Sequence, residues 1–209
     1  MVIVNQKAMD VADLADRLAK GYLSHLTAIS IATHPRAREL APEILPDQLT
    51  PLGFIGRKNA RPYEYGFLYH LDQIKTDPVI ADEMTRVWLT GSVLTLGDAL
   101  AKVKDKHKEG YFDRAPILEL VRHLRNGVAH GNRFNIRERV NFGKHPAHNL
   151  EFADESEGVM ILEMTHALQG KRVLFEFIDP VGVLDVLRFV SNHLNQIGQK
   201  LKPEPFLDL

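Results

Sequence analysis

Three residues in the segment LRNGVAHGNRF (124–134) have the types and spacing to do chemistry: Arg125, Asn126 and His130. Histidine moves protons near neutral pH, and arginine holds phosphate oxygens bidentately and stabilises charge that develops on them. Together they suit phosphodiester cleavage by general acid–base catalysis. Geometry sets a condition. Five positions along a helix rotate a side chain by ~140° and raise it by ~7.5 Å, so Arg125 and His130 do not share a face. They can converge on one ligand if the helix ends between them. Gly127 and Gly131 ease such an ending: Gly131 is a natural left-handed C′ residue, and Asn132 tolerates the same region. A histidine in the last turn also meets the negative end of the helix macrodipole, which favours its protonated form. The same residues fit an ordinary helix stop, so the segment alone leaves both readings open.

The surrounding charge is uneven. Between Arg122 and His148 there are six lysines and arginines against one acid, Glu138, together with four histidines. From Glu151 to Glu163 there are five acids and no base. A basic run of this kind steers anionic ligands even on a protein whose net charge is only −1. Arg122 and Arg133, on either side of Arg125 and His130, are the candidate nucleic-acid contacts. Other candidates are weaker. Glu119 and His123 lie one helical turn apart and could suit a metal, but no third ligand is evident. His145 and His148 sit in a predicted loop, HPAH, and His25, His34, His70 and His166 are scattered. No metal or cofactor site is therefore expected. Walker, Rossmann, zincin and G-x-S-x-G patterns are absent, as is an RNA-stacking aromatic signature.

Four long helices must position these residues. The first runs from Asp10 to about Thr33, with Val11, Leu14, Ala15, Leu18, Tyr22, Leu26 and Ile29 at helical spacing. Pro35 re-aims it, and residues 42–62, rich in proline and glycine, form an irregular connection. A short helix ends near Lys75. The second long helix starts with Asp77 as N-cap and Pro78 at the first helical position; Ile80, Met84, Val87, Gly91, Leu94 and Ala101 trace its buried stripe, with Gly91 at a close helix–helix approach. The third opens around Asp113, with Pro116 in its first turn, and buries Ile117, Leu120, Val121, Leu124 and Val128. The fourth opens at Asp179–Pro180 with a seam of Val183, Leu187, Val190, Leu194, Ile197 and Leu201, spaced to meet a neighbouring helix or another chain. Between the third and fourth, GVMILEM and RVLFEF predict a β-hairpin over 158–178, turning near Gly170.

Bulk composition narrows the classes. With 209 residues, 44% of them hydrophobic, the chain can bury a sizeable core without staples. Cysteine is absent, which removes disulfides and thiolate metal sites and suits a reducing cytoplasm. No leader peptide is apparent, and no window reaches the ~18 apolar residues of a membrane span.

LRNGVAHGN resembles the signature of the HEPN superfamily, R-x4-6-H with a polar residue straight after the arginine. Arg125, Asn126 and His130 match those positions in order, on a helix followed by a further long helix. The match covers about ten residues; elsewhere the similarity is architectural. The resemblance implies a mainly α, HEPN-like bundle, a single domain over 1–209, interrupted by the irregular 42–62 and the inserted hairpin. It implies a homodimer with a composite site, and metal-independent cleavage of RNA in toxin–antitoxin, abortive-infection or CRISPR-related defence. His130 would be the acid/base at the ribose 2′-hydroxyl, Arg125 the phosphate ligand and Asn126 the positioning group. Other family members have lost catalysis and bind nucleotides or partners. An antitoxin partner is a further implication; a membrane is not.

Overall fold

The computed structural model describes residues 5–40, 50–51, 64–65, 67–103, 114–152 and 158–199, and it is mainly helical. The helices are α1 (Gln6–Thr33), α2 (Ala37–Leu40), α3 (Phe67–Thr76), α4 (Pro78–Lys102), α5 (Pro116–Ala129) and α6 (Pro180–Gly198). The chain groups into two compact units, Leu23–Val87 on the one hand and Met1–Tyr22 with Trp88–Leu209 on the other. None of the described helices is long and apolar enough to cross a membrane.

Local capping chemistry explains most helix starts. The Asp179 carboxylate accepts the Gly182 N–H at 2.7 Å and Pro180 follows at once. Asp77 accepts the Val79 N–H at 3.0 Å. The first helix begins earlier than its apolar spacing suggests, because Asn5 accepts the Ala8 N–H at 3.1 Å and so caps a turn before Asp10. In α5, Ala115 stands at the cap without a side-chain acceptor, and Pro116 supplies the start by fixing φ. Asp113, the anticipated opening, lies outside the described residues, as do most of 42–62 and Leu201.

In the larger unit, α4, α5 and α6 meet around Val93, Leu96, Val121, Leu124, Val183, Val186 and Leu187. Val183 and Leu187 of the α6 seam therefore meet α5 and α4 within the chain. Met9 of α1 packs where Gly198 of α6 has no side chain. In α5 the burial extends beyond the anticipated stripe to Leu118, Glu119, His123 and Gly127.

The stripe expected on α4 is not the buried one. Leu89, Ser92, Val93, Leu96, Gly97 and Leu100 face the core, whereas Val87 is 70% exposed and Met84 and Ala101 are also exposed. This helix is apolar on every side, so spacing cannot choose between its faces. Its glycines exchange roles for the same reason. A Cβ at Gly91 would meet nothing within 4 Å, but one at Gly97 would overlap the Arg125 side chain.

The hairpin anticipated over 158–178 also gives way to different pairing. Its two arms do not pair with each other; Glu163 bridges His148 and Arg172 bridges Arg133, with a 3-10 turn at His166–Leu168 between them. The Asn149 side chain takes the place of a ladder partner, accepting the Leu162 N–H at 2.8 Å and donating to the Met160 carbonyl at 2.8 Å. The first run buries alternate positions, Leu162 and Met164, but in the second the adjacent Val173 and Leu174 are both buried and the chain turns at 175–177; each arm is satisfied by the chain that follows α5.

In the smaller unit, Pro35 ends the α1 region and α2 follows. Lys75 at the end of α3 donates to the Pro35 carbonyl at 2.9 Å, and Arg38 of α2 lies 3.8 Å from Asp72. Thr50–Pro51 and Glu64–Tyr65 form a two-residue antiparallel pair, Thr50 opposite Tyr65.

Candidate active site at the end of α5

Helix α5 ends where the sequence suggests. Ala129 is its last residue and His130 the C-cap, with φ −99° and ψ 41°. The His130 N–H still reaches the Asn126 and Gly127 carbonyls, at 3.1 and 3.2 Å. Gly131 and Asn132 then take the left-handed region, φ 77° and 60°, and carry the chain away. His130 therefore stacks one turn above Asn126 on the same side of the helix, with an exposed side chain.

Arg125 lies on another side. Its stem runs over Gly97 of α4, and its guanidinium grips Asp98, with Nε and Nη2 donating to one carboxylate oxygen at 2.8 and 2.6 Å. Nη1 donates to the Asn126 side-chain oxygen at 3.5 Å. The Arg125 side chain remains 35% exposed and Asp98 more so, so the pair stands at the surface, where an ion pair orients more than it stabilises. Arg125 and Asn126 are thus brought together, and His130 is tied to Asn126 through the backbone. Asp98 is the residue that sequence reasoning missed. The only local signal was the Gly97–Asp98 step inside an apolar run, because a small residue beside an acid is where a long cation can cross.

Gly127 does not loosen the helix as anticipated. It is buried within α5, and a Cβ there would overlap Val173 Cγ2 and come within 3.3 Å of the Arg133 carbonyl. The returning chain needs that space. Two residues past His130, the Asn132 side chain accepts the Leu174 N–H at 2.8 Å and donates to the Leu174 carbonyl at 3.2 Å, spanning 42 residues of sequence. The chain at 173–175 is so pinned beside the end of α5.

The two candidate nucleic-acid contacts part company. Arg133 is exposed, with Nη1 on the Gly170 carbonyl at 2.7 Å. Arg122 is drawn into a packed cluster two turns back along α5. Its Nε donates to the buried Glu119 carboxylate at 2.7 Å, and its Nη2 donates to His123 Nε2 at 3.0 Å. His123 is only 6% exposed and its ring lies 5.3 Å from that of Phe142, which in turn lies 5.2 Å from His166. Burial, with the Arg122 cation second, lowers the His123 pKa from 6.5 to about 4. The imidazole is neutral and accepts from Arg122.

This also disposes of Glu119 and His123 as a metal pair, since Arg122 occupies both. His145 lies 3.1 Å from Arg114, and His148 pairs with Glu151 at 3.1 Å, so HPAH does not converge on one point. Among the described residues no group of three potential ligands is arranged to hold a metal ion. Comparison of the chain with family models, with curated proteins and with solved structures returns no match.

Proposed function

We propose that the protein is an HEPN-type, metal-independent endoribonuclease. The observation that carries this reading is the Arg125–Asn126–His130 arrangement: a surface arginine fixed at the last turns of α5, with an exposed histidine as the cap of the same helix. In the reaction, His130 takes the proton of a ribose 2′-hydroxyl and the 2′-oxygen attacks the adjacent phosphorus. The bond from phosphorus to the 5′-oxygen breaks, and an imidazolium returns a proton to that oxygen. A 2′,3′-cyclic phosphate and a 5′-hydroxyl result. Arg125 offers its remaining N–H groups to the phosphoryl oxygens as charge builds on them. Asn126, bonded to Arg125, holds the pair in register.

Arg125 and His130 lie on different sides of α5, which favours a composite site in a homodimer, where His130 of one copy serves beside Arg125 of the other. The absence of cysteine fits a cytoplasmic setting, and a defence or toxin–antitoxin role with an antitoxin partner follows from the HEPN resemblance. The test is direct: RNA is incubated in EDTA with the wild type and with an Arg125→Ala/His130→Ala variant. Cleavage by the wild type alone is expected; no cleavage, or equal cleavage by both, ends this reading.

One observation favours an alternative. Asp98 neutralises Arg125 through two hydrogen bonds, as would suit a non-catalytic HEPN-like module that binds a nucleotide, nucleic acid or protein partner. Binding that survives the double substitution, without turnover, is its expected signature.

A further inference from the structure

We propose that the outer edge of residues 160–163 takes up an extended, basic segment of a partner protein as an added β-strand. Nothing in this docking requires the chemistry of Arg125 and His130.

One edge of this run is bonded inward. Glu163 is the antiparallel bridge partner of His148, flanked by the Asn149 N–H on the Leu162 carbonyl (3.2 Å) and the Met164 N–H on the Ala147 carbonyl (2.9 Å). The Asn149 side chain takes the Leu162 N–H and the Met160 carbonyl on the same side. Backbone groups alternate between the two edges of such a run, so those of Ile161 and Glu163 point the other way. Among the described residues nothing bonds the N–H or the carbonyl of either one. An edge left open in this way is a template for a further strand, and proteins commonly blunt it with lysine or proline. Between Gly158 and Glu163 stand four apolar residues, with neither. The support behind the edge is firm: Ala147, Asn149, Leu162 and Met164 are all buried, and the His148 N–H meets the Pro116 carbonyl at the start of α5 at 3.3 Å. The ordering cost of docking therefore falls on the incoming segment alone.

Side chains state what the edge accepts. Ile161 is 52% exposed, and Met160 and Leu150 are exposed beside it, since Leu150 follows the Asn149 that holds Met160. Large apolar side chains in water next to unpaired backbone are the marks of strand addition. The charge is acidic. Glu163 is exposed, and among the described residues no side chain pairs with its carboxylate. It closes a stretch, from Glu151, of five acids and no base. A second copy of the chain would bring the same acids to the junction, where like charges face to face destabilise. A basic segment is attracted there instead. Ile161 and Glu163 are two positions apart and share one face. The added strand therefore sets an apolar residue opposite Ile161 and, two positions away, a lysine or arginine opposite Glu163.

The experiment uses the whole chain and a fluorescent octapeptide with threonine at every second position and lysine and valine alternating between, beside the same peptide with glutamate for lysine. The lysine peptide is expected to bind and the glutamate peptide not. Amide hydrogen exchange, followed residue by residue, reads the mode: Ile161 and Glu163 exchange fast in the protein alone and become protected with the peptide, whereas Leu162 and Met164 are protected in both. Ile161→Pro removes an N–H that the fold does not use, so Tm stays near wild type while binding weakens ~10-fold or more. Glu163→Gln weakens it ~1.5- to 5-fold, the usual worth of one cross-strand ion pair, and less at high salt. Glu163→Lys, which alters only an exposed side chain, narrows the preference for the lysine peptide. No binding of the lysine peptide up to millimolar concentration, equal binding of the two peptides, or an unchanged preference in Glu163→Lys overturns the proposal. So does binding without protection at Ile161 and Glu163. A dimer in sedimentation that Ile161→Pro dissolves would show a second copy on this edge and overturn it as well.

Discussion

Acid should loosen this protein through His123, and the size of the effect follows from its surroundings. The imidazole is buried, accepts from Arg122 and packs against Phe142, so its pKa falls from 6.5 to about 4. The unfolded chain takes up the proton near pH 6.5, while the folded chain refuses it until about pH 4. Protons therefore favour the unfolded state throughout that window. The stability associated with a neutral His123 is complete above pH 6.5 and is lost as the pH falls towards 4. At 1.36 kcal/mol per pH unit the loss reaches about 3 kcal/mol, a large share of the stability of a typical domain. The perturbation is His123→Gln, which keeps an acceptor for Arg122 and cannot take up a proton. Urea titrations of wild type and variant at half-unit steps from pH 7.5 to 4 give the difference in unfolding free energy. Groups away from position 123 are common to both proteins and largely cancel. Wild type should lead at neutral pH and lose that lead steadily below pH 6.5. Parallel curves down to pH 4 would refute the reasoning, because they would mean that the folded protein accepts a proton at His123 as readily as the unfolded chain does.

The two glycines of α4 should respond in opposite directions. Gly97→Ala drives a Cβ into the Arg125 stem and should cost about 1–3 kcal/mol, whereas Gly91→Ala fills open space and should gain up to ~1 kcal/mol of helix propensity; thermal melts of the two variants check both. Asp98→Ala leaves the fold near wild type, since the ion pair is at the surface, but frees the Arg125 guanidinium to wander. In the cleavage assay kcat should fall more than tenfold with KM little changed, and Asp98→Glu should restore part of it; an unchanged kcat would show that Asp98 does not position Arg125.

What the sequence made legible is the chemistry that acts over a few residues. Asp77–Pro78 and Asp179–Pro180 mark helix starts because cap and first turn are neighbours. Gly131 and Asn132 mark the end of α5 because left-handed conformations are tolerated by few residue types. Illegible were the partners that lie far along the chain. Nothing beside Arg125 announces Asp98, 27 residues earlier. The two apolar runs in 158–178 read as strands for each other, but Asn132 and Asn149 offer amide groups that mimic a ladder and capture them instead. In α4 the apolar residues surround the helix, so Met84 and Val87 looked as fit for the core as Leu89 and Leu96. Arg122, counted with the basic run, spends its charge on Glu119 and His123.

The contacts that frame the end of α5 also fix when that end can exist. Arg125 finds its carboxylate 27 residues upstream, but Asn132 must wait for Leu174, 42 residues downstream. A ribosome adding roughly 5–20 residues per second takes about 2–8 s to make that stretch. Throughout that interval the nascent chain carries Arg125 and His130 without the clamp that orders the segment behind them. Closing so long a loop is also entropically slow compared with forming the helix itself. The ordered end of α5 is thus completed only after synthesis has passed Leu174.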